Sequence, residues 1–209
     1  MKLGLLTDIH EHVEHLRTAL DQLRREQVEQ IVVIGDVFSQ GRMLDETCHL
    51  LTDANAIGVW GNHDFGLCFE PTDESRSRYS AESLKFMTSL QPRLEKWGCH
   101  FCHIEPWLDP QKLEDLWYFE GPPDQHGKHD RIFNAVPHRI MFAGHYHQWL
   151  LTRPQGIDDW RGEGPIHLTD GRYFVVVGAL CEGDFATFDT DSCELKPFHL
   201  ETVAPSWSG

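Results

Sequence analysis

Apolar residues in this chain fall into two rhythms. Short, mostly apolar runs recur at Leu3 to Leu6, Ile31 to Ile34, Ile57 to Trp60, Cys99 to Cys102 and Ile140 to Ala143. Runs of this length predict strands buried in an α/β sheet. Between them the spacing lengthens. Val13, Leu16, Leu20 and Leu23 stand on one helical face and predict an amphipathic helix over Val13 to Gln27. Met43, Leu44, Cys48 and Leu51 predict a second over Met43 to Leu51, and a third is expected over Ala81 to Leu90 inside the polar stretch 65–98. Pro106, Pro110, Gly121, Pro122, Pro123 and Gly127 predict loops across 105–130. After His147 short strands are expected at Leu150 to Thr152, Pro165 to Leu168, Tyr173 to Val177, Phe185 to Asp189 and Leu195 to Leu200. No repeat, low-complexity tract or linker interrupts the 209 residues, which predict one domain with a loose tail at Val203 to Gly209.

Each of the first five runs ends in hard metal ligands. The endings are Asp8-Ile9-His10, Gly35-Asp36, Gly61-Asn62-His63-Asp64, His103 and Gly144-His145-Tyr146-His147. In open α/β sheets the ligand site lies beyond the carboxyl ends of the strands. Five sequence-distant strands therefore deliver Asp, His and Asn to one edge. Singly the motifs say little. An Asp after a strand often caps the next helix, and Gly-Asn-His-Asp is an ordinary turn composition. His145 and His147 alternate, which puts both rings on one side. Taken as an ordered set, the endings predict a metal centre. His103 is preferred to its neighbour His100, because it closes the run and precedes a loop. His12, His15, His49, His100, His126, His129, His138, His167 and His199 read as ordinary polar residues.

Charge narrows the substrate. The formal net charge is −15, from 33 acidic and 18 basic residues, and no basic track is visible. A long polyanion needs such a track to release its counterions, so a processive nucleic-acid enzyme is excluded. A small phosphate ester is not, since bound cations would reverse the local field. No run approaches the ~20 apolar residues of a membrane span, and Asp8 and His10 cut short any secretory core, so a cytoplasmic protein is expected. Cys99 and Cys102 sit three apart, on opposite faces of a strand, with no second such pair. Together with Cys48, Cys68, Cys181 and Cys193 they read as free thiols. Carboxylate, amide and imidazole without thiolate suit Mn²⁺, Fe or Zn²⁺.

With these motifs in this order, residues 1 to about 200 resemble the calcineurin-like metallophosphoesterases. Through Gly35-Asp36-Val37-Phe38-Ser39-Gln40-Gly41 the chain most resembles the small prokaryotic phosphodiesterases of that superfamily. The resemblance implies a two-sheet αββα sandwich. It implies two divalent transition metals about 3.5 Å apart, manganese first, with iron, zinc or nickel as alternatives. Asp8, His10, Asp36 and His147 would hold one metal. Asp36, Asn62, His103 and His145 would hold the other, with Asp36 bridging. A metal-bridging hydroxide would attack phosphorus, Asn62 would also meet the substrate, and His63 would protonate the leaving oxygen beside Asp64, which fixes the turn. Arg42 is the basic candidate for the phosphate.

Two departures matter. Ser39 and Gln40 stand where phosphomonoesterases of the family carry Asp and Arg, and Val175 to Leu180 replaces an Asn-Pro-Gly-Ser turn. The expected substrate is therefore a small phosphodiester. A phosphomonoesterase on the same site is the alternative. A silent scaffold is a second, which the complete ligand set argues against. Trp107, Trp117, Tyr118, Phe119 and Trp149 pack loops or form a stacking surface. Arg76 and Arg78 stand in the polar insert, where they could meet an anionic substrate.

Overall fold

The computed structural model describes residues 1–123 and 127–200, so His126 and the Val203 to Gly209 tail lie outside the described residues. In chain order the first half contains β1 (Lys2–Leu6), α1 (Val13–Arg25), β2 (Gln30–Ile34), α2 (Leu44–Asp53), β3 (Ile57–Val59), α3 (Phe65–Cys68), α4 (Asp73–Arg78), α5 (Ala81–Met87), β4 (Leu94–Lys96) and β5 (Cys99–Phe101). The second contains α6 (Leu113–Leu116), α7 (His129–Ala135), β6 (Ile140–Ala143), β7 (Leu150–Arg153), β8 (Gly156–Asp158), β9 (Ile166–His167), β10 (Tyr173–Val176), a 3₁₀ turn (Leu180–Glu182), β11 (Asp184–Asp189) and β12 (Glu194–His199).

Two mixed six-stranded sheets result. Their orders are β3-β2-β1-β11-β12-β9 and β4-β5-β6-β10-β7-β8. Strands β1, β2 and β3 run parallel, as do β5, β6 and β10. Their carboxyl ends therefore open on one edge of each sheet.

Strand alternation sorts side chains into three layers. Leu3, Leu5, Val32, Ile34, Phe101, Phe142, Val175 and Phe188 fill the space between the sheets. Leu6, Ile31 and Val33 face the other way, onto Leu16, Leu23, Leu51 and Met87 of the helices. Met141, Phe174 and Val176 cover the outer face of the second sheet with Ile132 and Phe133 of α7. The architecture is the expected αββα sandwich. Among the described residues no helix is long and apolar enough to cross a membrane.

Local differences from the sequence expectation have local causes. The third helix stops at Met87, because Thr88 and Ser89 turn their hydroxyls back onto the carbonyls of Leu84 and Phe86. Thr72 and Ser80 cap two consecutive helices, α4 and α5, in the stretch where one was expected. The loop expected over 105–130 contains α6 and the start of α7. All six cysteines are free, and Cys99 and Cys102 are buried, with burial pushing both thiols up to about 12.

Candidate metal centre

The motifs arrive at one place because the loops that carry them are stitched together. Asp8, His10 and Glu11 donate their backbone N–H groups to the carbonyls of Gly35, Asp36 and Val37, each at 3.0 Å. Leu180 and Cys181 donate theirs to Thr7 and Asp8. The 3₁₀ turn at Leu180–Glu182 thus closes the same edge.

Five of the ligand candidates hold left-handed backbone: Asp8 at φ 50°, His10 at 46°, Asp36 at 55°, His145 at 73° and His147 at 51°. Such conformations cost of order 1–3 kcal/mol each and persist where the surroundings dictate them. Asp and His tolerate them better than most residues. The motif glycines have a steric reason. A Cβ on Gly61 would lie 2.1 Å from Asp36 Oδ1, and one on Gly144 would lie 1.9 Å from Thr7 Oγ1.

The side chains converge with their acceptor atoms facing inward. His10 and His103 direct Nδ1 at the carbonyls of Phe38 and Ile34, at 3.2 and 2.8 Å. Both nitrogens therefore donate, and Nε2 is the atom turned toward the cluster. His147 likewise directs Nδ1 at Glu182 Oε1, 3.2 Å away. Nevertheless His10 Nε2 and His147 Nε2 lie only 3.3 Å apart. Asn62 Oδ1 lies 3.1 Å from His103 Nε2 and 3.0 Å from His145 Nδ1. Asp36 Oδ2 stands 3.3 Å from His103 Nε2 and 3.7 Å from His10 Nε2. Asp8 Oδ1 is fully buried and has no hydrogen-bond partner, with His147 Nε2 3.4 Å away.

An inward-facing set of lone pairs and carboxylates needs cations. The electrostatics agree. Burial would raise the Asp36 carboxyl, but His103 and His10 hold it far below its usual range. Burial would lower His103, yet the Asp36 charge and hydrogen bond lift it to about 9. The Asp8 carboxylate beside its Nε2 and the Cys181 thiol raise His147 to about 11. Burial pushes His145 down to about 4 and lowers His10. Oxygen and imidazole donors with an orphaned carboxylate oxygen fit divalent transition metals.

Two buried carboxylates shape the loops without joining the cluster. Asp64 accepts N–H groups from Phe38, Val37 and Gly61 at 2.8, 3.3 and 2.9 Å. Its oxygens are thus spent on the turn. Glu11 accepts from Ser39, Gly41 and Met43 at 2.9, 2.6 and 2.9 Å. Sequence reasoning missed Glu11 and Glu182, although Glu11 adjoins the first motif. His63 is exposed. Its backbone N–H donates to Asp36 Oδ1 at 3.0 Å, and its ring lies 4.9 Å from that of His10 and 5.1 Å from that of Trp117. Beside it opens a cavity of about 200 Å³ lined by Phe38, Thr72, Arg78 and Tyr79. Trp117 and Phe119 are 54% and 66% exposed, whereas Trp149 is buried in the core between the sheets. Arg42 is exposed and has no hydrogen-bonding or ionic partner among the described residues. Arg76 pairs with Asp73 on the surface.

Residues 1–192 match the calcineurin-like phosphoesterase superfamily domain. The chain belongs to that superfamily. This phosphoesterase is similar to an uncharacterised protein of Methanocaldococcus jannaschii, 24% identical over 96% of this chain and 86% of the relative. A phosphodiesterase of the same organism is 34% identical over 32% of this chain and 39% of its own. A metallophosphoesterase crystal structure from Sphaerobacter thermophilus shares the fold, with a TM-score of 0.77 at 22% identity, covering 96% of this chain and 88% of that one. Membership makes the protein a phosphate-ester hydrolase of a family that uses divalent metal ions.

Proposed function

We propose that this phosphoesterase holds two divalent transition metals and hydrolyses small phosphodiesters. The observation that carries the reading is the convergence of oxygen and imidazole donor atoms from the buried Asp8, Asp36, Asn62 and His103 and the half-buried His10, His145 and His147. Asp8, His10, Asp36 and His147 form one donor set. Asp36, Asn62, His103 and His145 form the other, and Asp36 is common to both. When bound, the metals acidify water toward neutrality and offset charge on the phosphate oxygens. Manganese is the first choice, with iron, zinc and nickel as alternatives.

The chain's own residues do the rest. His63, exposed at the rim, holds a proton for the departing ester oxygen. Asp64 keeps the His63 turn in register through the backbone amides it accepts. Arg42 reaches the phosphate from the start of α2. A diester has two arms, and the rim offers two places beside His63. One is the side cavity with Phe38, Arg78 and Tyr79, and the other is the exposed face of Trp117. Ser39 and Gln40 in the second motif, and the similarity to a phosphodiesterase of Methanocaldococcus jannaschii, support diesters over monoesters. The net charge of −15 without a basic track favours small-molecule substrates over long nucleic acid, and the enzyme is placed in the cytoplasm for want of a secretory core in its first apolar run.

The test is to strip the protein, reload it with Mn²⁺, Fe²⁺, Ni²⁺ or Zn²⁺, and assay paired aryl mono- and diesters. Two metal equivalents per chain at the strand-end cluster and faster diester turnover are expected, with Asp36→Asn disturbing both of them. One equivalent or none would sink the dinuclear reading, and faster monoester turnover would replace the diesterase with a phosphatase.

A further inference from the structure

Strand β5 carries a second histidine whose surroundings are unlike those of a packed core residue. His100 is fully buried, and neither of its ring nitrogens has a hydrogen-bond partner. A buried imidazole with both nitrogens unmatched is costly. On the neighbouring strand its direct cross-strand partner is Glu95, with Oε1 3.4 Å from His100 Nδ1. His138, two residues before β6, stands on the other side. Its ring centroid lies 5.3 Å from that of His100, its Nε2 lies 3.9 Å from Glu95 Oε2, and its Nδ1 is buried without a partner. One ligand atom from each of the three lies within 4.8 Å of the others.

We infer that Glu95, His100 and His138 form a zinc site that ties the edge hairpin β4–β5 to the start of β6. Tetrahedral Zn²⁺ with bonds of about 2.0–2.2 Å to nitrogen and carboxylate oxygen wants donor atoms a little over 3 Å apart. The His100–Glu95 separation already meets this, and Glu95, 57% exposed, is free to swing the remaining distance. Two imidazoles and one carboxylate leave a fourth position for water on the solvent side. Burial and the neighbouring His138 hold His100 neutral, at about 4, as a ligand must be. The nearby Arg93 guanidinium is engaged elsewhere, donating to the carbonyl of Leu108. The placement has a use. β4 is a three-residue strand at the edge of its sheet, paired only with β5 among the described strands, and a metal would fix its register. His100 points away from the inter-sheet core to which its neighbours Cys99 and Phe101 belong, so the site is separate from the cluster at the strand ends.

The experiment measures zinc bound at equilibrium by full-length wild type, His138→Ala and Glu95→Gln, all first stripped of metal. Each variant is expected to bind one equivalent fewer than wild type and to keep its phosphoesterase activity. Zinc should also raise the melting temperature of wild type more than that of either variant. Both substitutions are at partly exposed positions. Should His138→Ala fail to fold, Glu95→Gln alone makes the comparison. Equal zinc content in wild type and variant, or a variant that loses the strand-end metals as well, would overturn the assignment.

Discussion

Glu182 Oε1 lies 3.2 Å from His147 Nδ1, on the side of the ring away from Asp8. The carboxylate orients the imidazole and leaves Nε2 toward Asp8, the arrangement by which an outer carboxylate sets a metal-binding histidine. Cys181 Sγ stands 3.7 Å from the same nitrogen, so both side chains of the 3₁₀ turn bear on one ring. Glu182→Ala is expected to weaken metal binding by about tenfold, the lower end of such effects, because the carboxylate is half exposed. Competition with a chelator measures it. Unchanged affinity would show that Glu182 does not set the ring.

Steric closeness at Gly144 predicts a second outcome. Gly144→Ala drives a methyl into Thr7 Oγ1 and to within 2.8 Å of Asp8 Oδ2. Thr7 cannot retreat easily, since its hydroxyl donates to Asp8 Oδ2 and Ile34 O in a fully buried place. Overpacking of this kind costs about 1–3 kcal/mol, and it should displace the Asp8 carboxylate. Gly164→Ala meets nothing within 4 Å and serves as the control. Calorimetry and metal content should both fall for the first variant and hold for the second.

The convergence of the strand-end side chains was legible because topology did most of the work. Five apolar runs in order fix which loops meet, and the ligand types announce themselves. Glu11 and Glu182 were not legible, since a carboxylate that accepts backbone amides or backs a histidine carries no spacing signature. Trp149 and Trp117 had identical standing in the sequence. One proved to be core and the other rim, a difference set by which loop each stands on. The break between α4 and α5 depends on the Ser80 hydroxyl cap, which a polar stretch conceals.

Protonation of His103 and His147 predicts how metal binding varies with pH. Both histidines rise from an ordinary 6.5, to about 9 and about 11. A raised value in the folded state adds stability that is complete below about 6.5 and is lost as pH climbs through the folded value. The metal-free protein should therefore weaken from about pH 6.5, the His103 contribution being lost by about pH 9 and the His147 contribution by about pH 11. The same protons must leave before metal binds, so apparent affinity rises over that range. The gap in melting temperature between loaded and metal-free protein is expected to widen with pH. Calorimetry in buffers of different ionisation enthalpy should detect proton release on loading at neutral pH. A gap that narrows as pH rises would contradict this account.

His63 offers the sharpest test of mechanism. Its hydrogen bond to the candidate ligand cluster runs through the backbone, where its N–H donates to Asp36 Oδ1. The ring stands outward between His10 and Trp117. His63→Ala should therefore leave metal content near normal while removing the ring. If the ring supplies the leaving group's proton, kcat falls by roughly 10² to 10⁴ for esters of alkoxide leaving groups, which need that proton. For nitrophenolate, which departs unaided, the loss should be small. Trp117→Ala removes the neighbouring face without removing the proton. It should raise KM for esters with an aromatic arm and leave the dependence on leaving-group acidity intact. The measurement is kcat and KM for diesters of graded leaving-group acidity in the wild type and the two variants. A uniform loss across the series in His63→Ala would rule out proton donation and reduce His63 to a positioning role. A change of slope in Trp117→Ala would show that the tryptophan acts through the His63 ring rather than on the substrate.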